Sequence, residues 1–161
     1  MSISFSANEF INIAIGIERR GIVFYDIMTK STESDAAREM FQRLGDMERE
    51  HIKTFEGMLQ DPGSQQPAES YLGEYAAYLQ ALVDSAVFTD DMITSELATQ
   101  ADSDIEAMEL AISAEKDSIL FYYEMRDMMP RKAQPTVDRI LAEEKSHLEQ
   151  LTRIKRLLAT L

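Results

Sequence analysis

The chain has two histidines, and each carries a glutamate three residues before it: Glu48 precedes His51, and Glu144 precedes His147. On an α-helix such residues lie about 60° apart around the axis, so each pair points one way. With glutamate at roughly a tenth of positions, chance would place both histidines so about once in a hundred. Two Glu-x-x-His pairs, joined by one inward glutamate from each of two further helices, are how a four-helix bundle holds two metal ions. The remaining helices must each supply that glutamate if the spacing has this meaning.

An internal repeat supplies both. Glu18-Arg-Arg-Gly-Ile22-Val-Phe24-Tyr25-Asp-Ile-Met28 aligns with Glu115-Lys-Asp-Ser-Ile119-Leu-Phe121-Tyr122-Tyr-Glu-Met125 at an offset of 115 − 18 = 97. The Glu-x-x-His pairs align at 147 − 51 = 96. Glu18 lies between Ile17 and Ile22, and Glu115 between Ala114 and Ile119, so both sit on apolar stretches. A carboxylate facing such a core costs several kcal/mol unless something compensates. Four carboxylates meeting there could not all ionise without cations. Two divalent ions carry +4 against −4, with the imidazoles neutral, so the charge closes. The candidate metal ligands are therefore Glu18, Glu48, His51, Glu115, Glu144 and His147. Oxygen and nitrogen donors without sulfur suit iron, manganese or zinc. Tyr25 and Tyr122, seven residues after Glu18 and Glu115, are placed to donate a hydroxyl to a ligating carboxylate. Glu50, Glu109, Glu124, Glu143 and Glu149 fall off the inward faces and are expected on the surface.

Helical signals run through the chain. Ser6 and Glu9 form a capping box ahead of Phe10, Ile13, Ala14, Ile17, Phe24, Ile27 and Met28, and the polar cluster from Thr29 to Ser34 ends this element. Gly16 and Gly21 within it suggest close backbone approach or room for a neighbour. A second helix is expected from about Asp35 to Gln60, stopped by Asp61-Pro62-Gly63. The stretch 61–102 is too long for a structureless loop in a compact domain. Its residues Tyr71, Leu72, Tyr75, Tyr78, Leu79, Leu82 and Val83 predict a helix packing an aromatic stripe on the bundle, with a shorter one over Asp90 to Thr99. Ser103 and Glu106 open the third long helix, which ends at Pro130; Pro135 opens the fourth. The predicted fold is an all-α four-helix bundle with a long helical crossover between helices two and three, one domain over residues 1–161.

Composition narrows the classes further. A formal net charge of −13 argues against nucleic acid or an anionic membrane as partner. The absence of cysteine excludes disulfides, thiol nucleophiles and Cys-ligated zinc or iron–sulfur sites, and fits a cytoplasmic protein. No basic, cleavable leader opens the sequence, and no run of eighteen apolar residues occurs. The ten methionines are expected to fill the core.

The words Glu18…Phe24-Tyr25, Glu48-x-x-His51, Glu115-Lys-Asp-Ser-Ile-Leu-Phe-Tyr122 and Glu143-Glu144-Lys-Ser-His147 resemble the ferritin-like di-iron carboxylate superfamily, within it the rubrerythrin-like branch. The resemblance covers the four long helices and implies a non-haem pair of iron ions. Rubrerythrins proper add a Cys-rich iron module, absent here, and an extra glutamate where this chain has Ser118, with Gly21 as its repeat equivalent. Arg49 stands where bacterioferritins place a haem-binding Met, so no haem is expected. With the fourth helix running to the last residue given, a fifth helix and a cage built from it are not expected.

The resemblance implies a di-iron oxidoreductase acting on O2 or hydrogen peroxide, by Fe(II) oxidation or by peroxide reduction with an external electron donor. A role against oxidative stress and a homodimer are expected by the same analogy. The alternatives are a metal carrier or helical interaction module without turnover, and a metal-free bundle.

Overall fold

The computed structural model describes residues 6–61 and 73–161. Six helices follow in order: α1 (Ala7–Ser31), α2 (Asp35–Leu59), α3 (Gly73–Asp84), α4 (Asp91–Gln100), α5 (Asp104–Met128) and α6 (Gln134–Ala159). No strand occurs among the described residues. The architecture is the expected ferritin-like bundle, with α3 and α4 as the crossover.

Local chemistry sets the ends. Ser6 caps α1 by accepting from the Glu9 amide at 3.2 Å, and Glu9 reaches back to the Ser6 amide at 2.5 Å. At α5 the reciprocal contact is displaced. Ser103 accepts from Glu106 N as predicted, but the Glu106 carboxylate takes the Asp102 amide instead of that of Ser103. Pro135 lies in the first turn of α6, where its missing N–H costs nothing. The proline–glycine stop predicted after α2 falls at 62–67, outside the described residues.

The short α1–α2 and α5–α6 links make each pair antiparallel neighbours, and these are the two most extensive helix contacts. α1 then packs on α5 and α2 on α6, which closes the bundle. The buried Thr32 in the first link donates to Asp104 at 2.7 Å, tying that turn to the start of α5. The crossover lies against the α1–α5 side, α4 on α1 and α3 on α5. Tyr75 donates to Glu124 at 2.6 Å, and the Val87 amide donates to Asp117 at 2.8 Å. The aromatic stripe of α3 is only partly inward: Leu79 is buried, whereas Tyr78 is 43% exposed. Tyr71 and Leu72 of that predicted stripe lie outside the described residues.

The core comes in two parts. One, around Phe10, Phe55, Phe121, Met125 and Ile140, fills one end; the other, around Phe24, Phe41, Met108 and Leu151, fills the opposite end. Between them every long helix places polar residues: Glu18 on α1, Glu48 and His51 on α2, Glu115 and Ser118 on α5, Glu144 and His147 on α6. A bundle optimised for apolar packing would not carry such a layer, since each buried charge costs several kcal/mol before compensation.

Candidate metal centre

All six predicted ligands converge in that layer, and none is more than 3% exposed. His51 Nδ1 lies 3.0 Å from Glu48 Oε2, 3.0 Å from Glu144 Oε1 and 3.5 Å from Glu18 Oε1. His147 Nδ1 lies 3.3 Å from Glu144 Oε2, 3.6 Å from Glu48 Oε1 and 3.7 Å from Glu115 Oε1. Glu48 and Glu144 thus turn one oxygen to each imidazole. Two groups of donors result, Glu18–Glu48–His51–Glu144 and Glu48–Glu115–Glu144–His147, each with its ligand atoms within 4.8 Å of one another. The two imidazoles face each other at 5.9 Å between ring centres. The spacing of the Glu-x-x-His pairs does not say which glutamates stand between the two positions. The geometry shares Glu48 and Glu144 between both positions and leaves Glu18 and Glu115 at the two ends.

Unsatisfied atoms test whether cations fit. Glu48 Oε2, both oxygens of Glu144, Glu115 Oε2 and the Nδ1 atoms of His51 and His147 are shielded from solvent without an aligned hydrogen bond. Buried polar atoms are seldom left so, and a cluster of them aimed at common points is suited to holding a cation. Four carboxylates and two neutral imidazoles match two divalent ions in charge and donor type, so the residues fit a di-metal site.

Without cations, protons take over the compensation. Burial, reinforced by Glu48 and Glu144, pushes the carboxyls of Glu18 and Glu115 well above the usual carboxylate range. Burial acts the same way on Glu48 and Glu144, but contacts from their neighbours outweigh it and both are pulled down. Burial opposes an imidazolium as well, yet the surrounding glutamates raise His51 and push His147 up to about 12. The two tyrosine hydroxyls, raised by burial and by Glu115 or Glu18, remain protonated donors.

Both tyrosines donate to ligand carboxylates, but across the bundle. Tyr25 of α1 reaches Glu115 of α5 at 2.5 Å, and Tyr122 of α5 reaches Glu18 of α1. Each fixes one oxygen of a glutamate on the opposite helix and leaves the other oxygen for an ion.

Like Glu124, which accepts from Tyr75, Glu143 is expected on the surface from the sequence but is half-buried. It is 29% exposed and its Oε2 lies 2.7 Å from His51 Nε2, with Arg139 nearby at 3.5 Å. With Nδ1 turned to the glutamates, Nε2 carries the proton and donates it to Glu143. His147 Nε2 is equally buried and has no hydrogen-bond partner among the described residues. The repeat explains this: 143 − 96 = 47, and position 47 is methionine. The doubled Glu143-Glu144 was the available signal, since the residue before a helix-borne ligand can face the neighbouring helix.

The comparisons agree with the geometry. The rubrerythrin family model matches residues 9–155. A solved structure from Thermotoga maritima, described as a ferritin-like diiron-carboxylate protein, is similar over 95% of this chain and 96% of that one, with 29% identity and a TM-score of 0.75. No curated protein matches. With its six convergent glutamate and histidine side chains, its cross-bundle tyrosines and a family match over nearly its whole length, this chain belongs to the rubrerythrin family.

Proposed function

We propose that this protein holds two iron ions and reacts with O2 or hydrogen peroxide, either oxidising Fe(II) or reducing peroxide with electrons from an external donor. One observation carries the reading: Glu48 and Glu144 each divide their two oxygens between the two imidazoles. Carboxylates so placed would serve two cations, and bound iron would supply one electron from each ion, which with two protons turns one hydrogen peroxide into two waters.

The side chains do the rest. Glu18 with His51, and Glu115 with His147, complete opposite ends of the pair. Tyr122 and Tyr25 hold those terminal carboxylates in one orientation. The apolar clusters above and below keep bulk water from the layer, which strengthens every electrostatic contact within it. The 161 residues contain no cysteine and so offer no thiolate-held iron relay of their own.

Anaerobic protein loaded with Fe(II) and mixed rapidly with peroxide or O2 tests this directly. Oxidation faster than that of free Fe(II), followed by absorbance, is the expected result. A rate no greater than free iron, with two ions bound per chain, would leave a metal carrier in its place.

A further inference from the structure

The outer side of α5 and α6 carries a line of residues on each helix. Lys116, Leu120 and Tyr123 recur at intervals of four and three, and Lys145, Glu149, Arg153 and Arg156 at four, four and three, so each set follows one side of its helix. Lys145 Nζ lies 4.9 Å from the centre of the Tyr123 ring and joins the two lines. Leu120 is 49% exposed and Tyr123 44%. Ion pairs bound this face at either end, Arg126 with Asp138 and Lys155 with Glu109 at 3.1 Å. Between them Lys116, Lys145, Arg153 and Arg156 have no ion-pair partner among the described residues.

The equivalent face of the other repeat is closed. Offsets of 97 on α5 and 96 on α6 carry Lys116, Lys145 and Glu149 to Arg19, Arg49 and Lys53. Each of those cations has its acid: Arg19 pairs with Asp91 at 3.7 Å, Arg49 with Asp26 at 2.6 Å and Asp46 at 3.2 Å, and Lys53 with Glu50 at 2.7 Å. Around Lys145 the counterparts of Asp26 and Asp46 are Tyr123 and Ala142. Leu120 stands where the other repeat has the partly covered Val23.

In a chain of net charge −13, four uncommitted cations against the single Glu149 make a basic patch with an apolar, aromatic centre. Such a patch complements an acidic protein surface. A second copy docked here by a two-fold axis would bring the same cations face to face, and the overall charge repels nucleic acid. The location adds a second constraint. Lys116 and Lys145 directly follow Glu115 and Glu144, so the patch is the outward side of the helix turns that build the metal layer. One helix, about 10–12 Å across, separates a partner seated there from that layer.

We propose that this face docks an acidic electron-carrier protein and is where electrons enter the di-metal layer. The proposal rests on the reading above that an external donor reduces the iron. Two one-electron transfers would return two Fe(III) to Fe(II) and oxidise the carrier by two electrons in total, with no bond made or broken at the surface.

Photoreduced flavodoxin, an acidic flavin protein, mixed rapidly and anaerobically with the Fe(III)-loaded protein is the probe. Wild type is expected to be reduced at a second-order rate that falls steeply with added salt. Lys116→Glu with Lys145→Glu should slow it at least about tenfold, and Lys53→Glu on the other repeat should leave it within about twofold. Dithionite, which needs no docking face, should reduce all of them alike. Where the double variant loses iron or does not fold, Arg153→Glu with Arg156→Glu carries the test with the same direction. Equal rates in wild type and the reversed variants, an equal loss in Lys53→Glu, or iron that dithionite reduces and flavodoxin does not, overturn the docking face. A wild-type dimer that Leu120→Ser dissociates in sedimentation means that a second copy covers the face, and overturns it too. Reduction through this face, with Fe(II) that peroxide and O2 oxidise no faster than free iron, sinks only the oxidoreductase. Failure to bind two ions sinks both.

Discussion

The His51 side and the His147 side of the centre are built from the same parts and differ in one contact. Each has a terminal glutamate, an imidazole and a half share of Glu48 and Glu144. Each terminal glutamate accepts from a tyrosine of the other repeat. Only His51 has its outer nitrogen backed by a carboxylate, Glu143. A carboxylate behind a ligating imidazole orients the ring and makes it a better donor, an effect typically worth 10–100-fold in metal affinity. The repeat therefore fixes which residues meet in the layer, while a single position before each motif, Glu143 against Met47, distinguishes the two ends.

The largest effect should come from removing a shared ligand. Glu144→Ala strips an oxygen from both positions, so metal content should fall from two ions per chain towards none. Glu18→Ala strips one end only and should leave about one ion. Elemental analysis after gel filtration distinguishes them, and equal losses would contradict the sharing of Glu144. Because ions that bind only the folded state stabilise it by about 2.7 kcal/mol at a hundred times Kd, the metal-dependent rise in Tm should vanish in Glu144→Ala.

Next in size is the asymmetry itself. Glu143→Gln should weaken one of two binding steps about tenfold or more and spare the other, as read by competition with a chelating dye. Conversely, Met47→Glu should strengthen the weaker step and bring the two constants together. Two steps that move equally in either variant would show that Glu143 serves the layer as a whole.

A third effect is shared by both ends. In the metal-free protein the imidazoles and the carboxyls of Glu18 and Glu115 are raised, so they hold protons that an incoming cation must displace. Metal uptake near neutral pH should release at least one proton per chain, and apparent affinity should rise with pH. Calorimetry in buffers of different ionisation enthalpy measures the number directly.

The smallest effects test what the ends have in common. Tyr25→Phe and Tyr122→Phe each leave a ligand carboxylate without one donor, costing about 1–3 kcal/mol. For a chain of this size roughly 1 kcal/mol moves Tm by about 2–4 °C. Similar shifts in the two variants would support equivalent roles, and a much larger one in either would mean that the pseudo-symmetry stops at the ligands.

The long helices and the six side chains that meet in one layer were legible because helical spacing and the internal repeat are both written along the chain. Capping boxes, proline positions and the three-residue interval between Glu and His state local geometry outright. Glu143 was not legible, because its neighbour His51 is 92 residues away and comes close only when α2 packs on α6. Tyr78 misled for a related reason: apolar periodicity marks a face, but in a short crossover helix only part of that face finds a partner.

By itself, then, the sequence determined the helices, the repeat and the set of side chains that must share one layer, since a helix converts residue interval into direction without reference to anything else. Tertiary packing decided which oxygen faces which imidazole, that each tyrosine serves the opposite helix, and that one histidine alone is backed by a carboxylate. Those outcomes depend on distances between helices, and no interval along a single chain segment encodes them.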